Sequence, residues 1–187
     1  MIHVAYGTSN LYSKFAATSM LSMFENTNEN VTVHILHADD FSVENRENFS
    51  YIAGRYNQQV KFYNAEKICA NEIAVFKNKF PAPSLKRFSI AATFRFLLPK
   101  IIFPAIEKII YLDADTIVNL DIRELWRVEL EDKPLAAVVD IGAYNLPLCT
   151  EGIVKPENYF NSGVLLMNLE KWRTDAKNIW GGRGFYS

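Results

Sequence analysis

The chain has 187 residues, 49% of them apolar and 22% charged, with a formal net charge of −1. That length suits one domain burying roughly 70% of its unfolded surface, and the composition excludes a disordered or collagen-like chain. With no long basic run, nucleic acid is excluded as the main partner.

Cys69 and Cys149 are the only cysteines, which gives no disulfide framework and fits a reducing compartment. The first residues run directly into a strand pattern, without a basic region and cleavage site. No apolar stretch reaches the ~20 residues of a membrane span, since Pro104, Glu107 and Lys108 interrupt the longest. The expectation is a cytoplasmic protein, free or peripheral to the cytoplasmic face of a membrane.

Ile2 to Tyr6 reads as a first strand and Gly7-Thr8-Ser9-Asn10 as the turn after it. A helix follows, with Ala16, Ala17, Met20, Leu21 and Phe24 on one apolar stripe. A strand, a small polar turn and a helix suit an anion or nucleotide, because free backbone N–H groups gather there. The turn lacks G-x-G-x-x-G and a Walker lysine, so a plain strand-to-helix turn fits it equally. Val31 to Leu36 reads as a second strand, closing on His37-Ala38-Asp39-Asp40. A helix over about Val43 to Tyr56 carries Phe49, Ile52, Ala53 and Tyr56 at helical spacing, and Val60 to Tyr63 is a short third strand. Asn64 to Lys86 is expected to be an irregular loop marked by Pro81 and Pro83. Phe88 to Leu98 is expected to be an apolar helix ended by Pro99. Arg95 inside it needs a carboxylate, phosphate or hydroxyl partner, either as a structural ion pair or as a ligand contact.

The run Lys108-Ile109-Ile110-Tyr111-Leu112 is apolar and β-branched, and ends on Asp113-Ala114-Asp115. It reads as a buried strand. In extended chain, residues i and i+2 point to one side, which would aim both carboxylates the same way. At roughly 7 Å and an effective dielectric of about 20, they repel by about 2–3 kcal/mol. A hard divalent cation removes that cost and prefers such oxygens; a solvated strand end with two turn-forming aspartates is the alternative. Asp121-Ile122-Arg123-Glu124 resembles a capped helix start, with Leu125 and Trp126 packing inward. Leu135 to Val139 is expected to be another strand, ending on Asp140. Strands near Val31, Ile109 and Leu135 thus all close on aspartate, and open α/β sheets bind ligands beyond their strands' carboxyl ends. Asn161-Ser162-Gly163 leads into the run Val164 to Leu169. For Asn161 to face the same site, that strand must run antiparallel to its neighbours. A helix starts at Leu169-Glu170-Lys171-Trp172-Arg173, and the pattern is lost over Gly181 to Ser187.

Alternating strands and helices, Tyr111-Leu-Asp-Ala-Asp-Thr-Ile-Val-Asn119 and Tyr159-Phe-Asn-Ser-Gly-Val-Leu-Leu-Met-Asn-Leu-Glu-Lys-Trp-Arg173 together resemble glycosyltransferase family 8. The resemblance runs from about Ile2 to Arg173 and implies a single α/β domain of GT-A type, a mixed, mostly parallel sheet flanked by helices. It implies transfer of glucose or galactose from a UDP-sugar, with retention, to a glycan or glycolipid acceptor. Mn²⁺ or Mg²⁺ would bridge the diphosphate. By position, Asp113 and Asp115 match the metal pair, and the Ala114 backbone lies near the ribose. Tyr6, Gly7 and Ser9 fall on the uridine turn, while Arg95, Asp140 and Asn161 match residues that hold the donor sugar.

Two departures stand out. Ser9 and Asn10 stand where the family carries acidic residues, and a weaker acceptor there implies poorer nucleotide selectivity. The family also continues past the Trp172-Arg173 helix to a histidine that completes the metal shell, whereas His3, His34 and His37 are the only histidines here. The resemblance therefore implies the N-terminal part of a transferase, cut short or shifted in frame near Trp180. A catalytically inactive UDP-sugar-binding remnant is the alternative. A metal-dependent phosphatase, which shares an Asp-x-Asp after a strand, is the remote one.

Overall fold

Short runs rich in β-branched and aromatic residues form the strands of one mixed sheet in the computed structural model, which describes residues 1–79 and 89–179. The strands are β1 (Ile2–Thr8), β2 (Val31–His37), β3 (Gln59–Asn64), β4 (Lys108–Leu112), β5 (Leu135–Ala136) and β6 (Val164–Asn168), in spatial order β3-β2-β1-β4-β6-β5. β1 to β4 are mutually parallel, and β6 is antiparallel to both β4 and β5. This is the direction that Asn161 facing the strand ends requires. Register sets Tyr6 beside Leu112, and Leu112 beside Val164. The connections carry helices α1 (Ser13–Asn26), α2 (Val43–Arg55), α3 (Ala65–Ile68), α4 (Ala70–Lys79), α5 (Leu98–Ile101), α6 (Ile122–Trp126), α7 (Pro147–Thr150) and α8 (Leu169–Ile179).

Because alternate strand residues face opposite sides, the sheet has two cores. Val4, Tyr6, Val33, Ile35, Ile110, Leu112 and Leu166 meet Met20, Phe24 and Phe49 of α1 and α2. Ala5, Leu36, Ile109, Tyr111, Leu165 and Met167 meet Ile73, Phe76, Phe94, Leu98 and Trp172 on the other side. No helix among the described residues is long and apolar enough to cross a membrane.

Several elements differ from the sequence expectation. Gly7 and Thr8 belong to β1, opposite Leu36 and His37, so the turn starts only at Ser9. In α1 the buried face runs through Ala16, Ser19, Met20, Met23 and Phe24, leaving Ala17 and Leu21 on its margin. The stretch after Asn64 is helical over its described part: Asn64 accepts the Lys67 N–H as a cap (3.0 Å), and Ala65, Cys69, Ile73 and Phe76 bury at helical spacing. Pro81, Pro83 and Phe88 lie outside the described residues, as do Trp180 and the tail Gly181 to Ser187.

Ile90–Leu97 winds as a 3₁₀ rather than an α-helix, and its buried Ala91, Phe94 and Leu97 recur every third residue as that helix requires. Pro99 opens α5 instead of ending a helix, since an early helical position needs no N–H. The strand expected over Leu135 to Val139 pairs regularly only at Leu135–Ala136. Beyond that the chain faces the loop before β6, with one bridge between Val139 and Phe160 and an Asn161 N–H bond to the Val138 carbonyl (2.9 Å).

Candidate donor-binding site

From β1 the chain moves outward through β2 and β3, then returns to add β4 on the other side of β1. Such a reversal leaves a crevice at the carboxyl ends of β1 and β4. Ser9 follows β1 there, Asp113 follows β4, and the antiparallel β6 brings Asn161-Ser162-Gly163 to the same edge. The Asp113 N–H donates to the Gly163 carbonyl at 2.7 Å, which locks the two loops together.

Tyr111 and Asp113 sit two residues apart, and the Tyr111 hydroxyl donates to Asp113 Oδ1 at 2.9 Å. Burial pushes the Tyr111 hydroxyl pKa up, so it remains a donor. Arg95, only 6% exposed, donates from Nη2 to the same oxygen at 2.7 Å. Its Nε donates to the Ala92 carbonyl (2.8 Å), its Nη1 to Ser162 Oγ (2.9 Å) and to the Ser162 carbonyl, and its guanidinium lies 4.7 Å over the Tyr111 ring. One of its five N–H groups is left over. The partner demanded by a buried arginine is therefore found inside the chain, in Asp113 and Ser162.

Asp113 and Asp115 do not continue one extended strand. After Asp113 the chain turns, with Thr116 N–H and Oγ1 both donating to the Asp113 carbonyl (3.2 and 2.8 Å), which buries Ala114 and leaves Asp115 exposed. Thr116 Oγ1 lies 2.9 Å from Ser19 Oγ, and Ser19 Oγ lies 3.1 Å from the Tyr6 hydroxyl, a chain of hydroxyls that continues the Thr116 contact with Asp113. Tyr6 is completely buried, and burial raises its hydroxyl pKa. Its side chain supports the aspartate loop from below, and only its main chain stands near the crevice.

Gly7 has a packing reason: a Cβ there would sit 2.6 Å from the Ala91 carbonyl oxygen of the 3₁₀ segment. Ser9 Oγ accepts weakly from the Tyr12 N–H (3.4 Å). Asn10 Oδ1 accepts from the Ser42 N–H (3.0 Å) and Asn45 Nδ2 (2.6 Å), joining the first turn to the start of α2. Asn161 is exposed and accepts the Gly163 N–H on Oδ1 at 2.8 Å, while Asp140 accepts the Gly142 N–H at 2.9 Å and its own N–H donates to the Tyr159 carbonyl (3.0 Å). A Cβ at Gly163 would lie 3.0 Å from Asp113 Oδ2 and 3.1 Å from Asn161 Oδ1, so both oxygens converge on this glycine.

The structure thus gathers Arg95, Asp113 and Asn161 tightly and places Ser9, Asp115 and Asp140 at the same edge. Among the described residues no group of three histidine, cysteine or carboxylate side chains could hold a metal. Asp113 Oδ2 and exposed Asp115 are nevertheless hard oxygen donors of the kind Mg²⁺ and Mn²⁺ take. A cation held by these two carboxylates alone would have to take its remaining ligands from a bound molecule or water. His37 is occupied elsewhere, with Nδ1 on the Ala38 carbonyl (2.7 Å) and Nε2 accepting from Arg46 (2.8 Å). Sequence reasoning missed Tyr111 as an Asp113 partner, although strand alternation pointed to it. The supports Ser19, Thr116 and Ser162 carried no such local signal.

The family model for glycosyl transferase family 8 matches residues 3–178. A lipopolysaccharide 1,2-glucosyltransferase of Escherichia coli is 29% identical over 177 residues, covering 91% of this chain and 48% of that protein. A lipopolysaccharide 1,3-galactosyltransferase of Salmonella typhimurium is 26% identical over 185 residues, covering 95% and 50%. The chain spans about half the length of these curated relatives. Among solved structures, the galactosyltransferase LgtC in complex with donor and acceptor sugar analogues superposes with a TM-score of 0.74 at 25% identity, over 92% of this chain and 60% of LgtC.

Proposed function

Since the chain belongs to glycosyl transferase family 8 and has a GT-A type fold, we propose that residues 1–187 form one GT-A domain of a retaining hexosyltransferase using a UDP-sugar and Mn²⁺ or Mg²⁺. The family match displaces the phosphatase reading. The observation that carries the proposal is Asp113, held by Arg95 and Tyr111 at the β1–β4 crevice with its Oδ2 turned toward Gly163 and Asn161.

Asp113 Oδ2 and Asp115 hold the cation, which when bound offsets charge developing on the leaving diphosphate. Main-chain groups of Gly7, Ser9 and Ala114 line the nucleoside side. Asp140 and Asn161, one on each side of the Val139–Phe160 bridge, orient the sugar hydroxyls. Arg95 contributes by fixing Asp113 more than by reaching the sugar, because four of its five N–H groups are already used. Glucose or galactose is the donor sugar and a glycan or glycolipid the acceptor, in line with the lipopolysaccharide transferases it resembles. A glycolipid acceptor would place the protein at the cytoplasmic membrane face.

The test is UDP-dependent thermal stabilisation with and without Mn²⁺, followed by hydrolysis and transfer assays on UDP-glucose and UDP-galactose. Asp115→Asn is the informative variant, because Asp115 is exposed and its replacement should leave the fold intact. It should abolish the Mn²⁺-dependent part of the stabilisation. No Mn²⁺-dependent stabilisation of the wild type would overturn the proposal, and stabilisation without turnover would favour the inactive remnant.

A further inference from the structure

Arg95 presents an unusual combination for a cation site. It is a buried, permanently charged guanidinium, and it donates at 2.7 Å to an oxygen of the carboxylate assigned to the metal. It is not free to leave, because Ala92, both oxygens of Ser162 and the Tyr111 ring hold it from the other sides. Within the aspartate pair assigned to the cation, Arg95 offsets the charge of Asp113 and only Asp115 keeps its own. A ligand bearing phosphate charge would restore the missing negative charge and supply oxygens for the open coordination positions.

We propose that Arg95 is a positioning residue that keeps Asp113 pre-paired, so that the free protein takes up a divalent cation weakly and the donor's diphosphate is what makes the cation bind. This rests on the UDP-sugar reading above and adds a binding order to it: cation and nucleotide arrive together. The same fork ties the end of β4 to the start of β6, so Asp113 and the Asn161 loop keep their spacing while the site is empty.

The experiment is titration of Mn²⁺ alone, followed by the electron paramagnetic resonance signal of the free ion, with and without UDP. In the wild type, UDP should tighten Mn²⁺ at least about tenfold. Arg95→Met should bind Mn²⁺ alone about tenfold more tightly than wild type, with a smaller gain from UDP, and Arg95→Lys, which keeps the charge, should restore weak binding. Unchanged or weaker binding of Mn²⁺ alone by a folded Arg95→Met would overturn the proposal. A second readout in the wild type guards against a variant that fails to fold. The Arg95 side-chain nitrogen resonances should stay in place with Mg²⁺ alone and shift with Mg²⁺ and UDP; a full shift with Mg²⁺ alone would overturn it equally. The two readings fail differently. If UDP does not tighten Mn²⁺ in the wild type, the donor reading falls and takes this one with it. If UDP tightens Mn²⁺ but Arg95→Met does not, only the role of Arg95 falls.

Discussion

Gly7 and Gly163 bring no side chain to the crevice, yet each sets a distance within it. A methyl at position 7 meets the backbone oxygen of Ala91, which cannot rotate away. Gly7→Ala should therefore cost about 1–3 kcal/mol of stability, read from urea unfolding; an unchanged midpoint would show that the 3₁₀ segment yields freely. Gly163→Ala meets side-chain atoms of Asp113 and Asn161, with the two oxygens nearest and no backbone atom among its three nearest neighbours. It should unfold near the wild-type midpoint but lose UDP-dependent stabilisation in Mn²⁺. Ser9→Asp tests the proposal that this turn binds uridine: it should tighten UDP more than GDP, by up to about tenfold for one regained hydrogen bond, and equal changes would place the base elsewhere. Asp113, Asn161 and Arg95 were legible in the sequence because each is polar at the end or inside of an apolar run. Their pairing was not, because Arg95 and Ser162 are 67 positions apart and only the folded chain brings them together.

The helices on the far side of the sheet show where an element-level reading goes astray. The spacing of Ala65, Cys69, Ile73 and Phe76 was readable as a helix, but two prolines further on drew the loop assignment back over it. Strand alternation and the antiparallel turn into β6 survived because burial on both faces leaves few other registers. α4 also carries Glu72, 3% exposed and paired with Lys100 of α5. Lys100→Met leaves a buried carboxylate without its partner and should cost roughly 1–3 kcal/mol, less than a wholly buried pair because Lys100 is partly solvated. The double variant Glu72→Leu/Lys100→Met should recover most of that loss in thermal unfolding. A single variant as stable as wild type would show that the pair does not hold α4 against α5.

Across the whole molecule, the histidines are bonded away from Asp113 and bear on acid stability. His3 Nδ1 meets His34 Nε2 at 3.1 Å, and His34 Nδ1 meets the Tyr63 hydroxyl at 3.0 Å, in a chain across β1, β2 and β3. Burial lowers the His34 pKa to about 3, with smaller contributions from His3 and Lys61, and burial also lowers His3 and His37. The folded pKa is below the unfolded value, so the unfolded chain binds protons first. Stability is then fully present above about pH 7 and falls as pH drops from about 6.5 toward 3. His34 alone should remove on the order of 2 kcal/mol between pH 7.5 and 5, measured by urea unfolding, and His34→Gln should flatten that slope. An unchanged slope in the variant would place the acid sensitivity elsewhere.

The central place of β1 also has a consequence in time. Tyr6 finds its second neighbour in Leu112, 106 residues later in the chain (112 − 6). At a synthesis rate of about 5–20 residues per second, the inner edge of β1 waits on the order of 5–20 s after its own emergence. β2 and β3 can close the outer edge within the first 64 residues. The growing chain thus carries a three-stranded ribbon whose β1 side, later covered by β4, is still open and hydrogen-bond-hungry, a natural docking place for a holding chaperone. Fragments ending before Lys108 should bind such a chaperone, and fragments extending through Asn168 should release it; equal capture of both would show that the open side is not what is recognised.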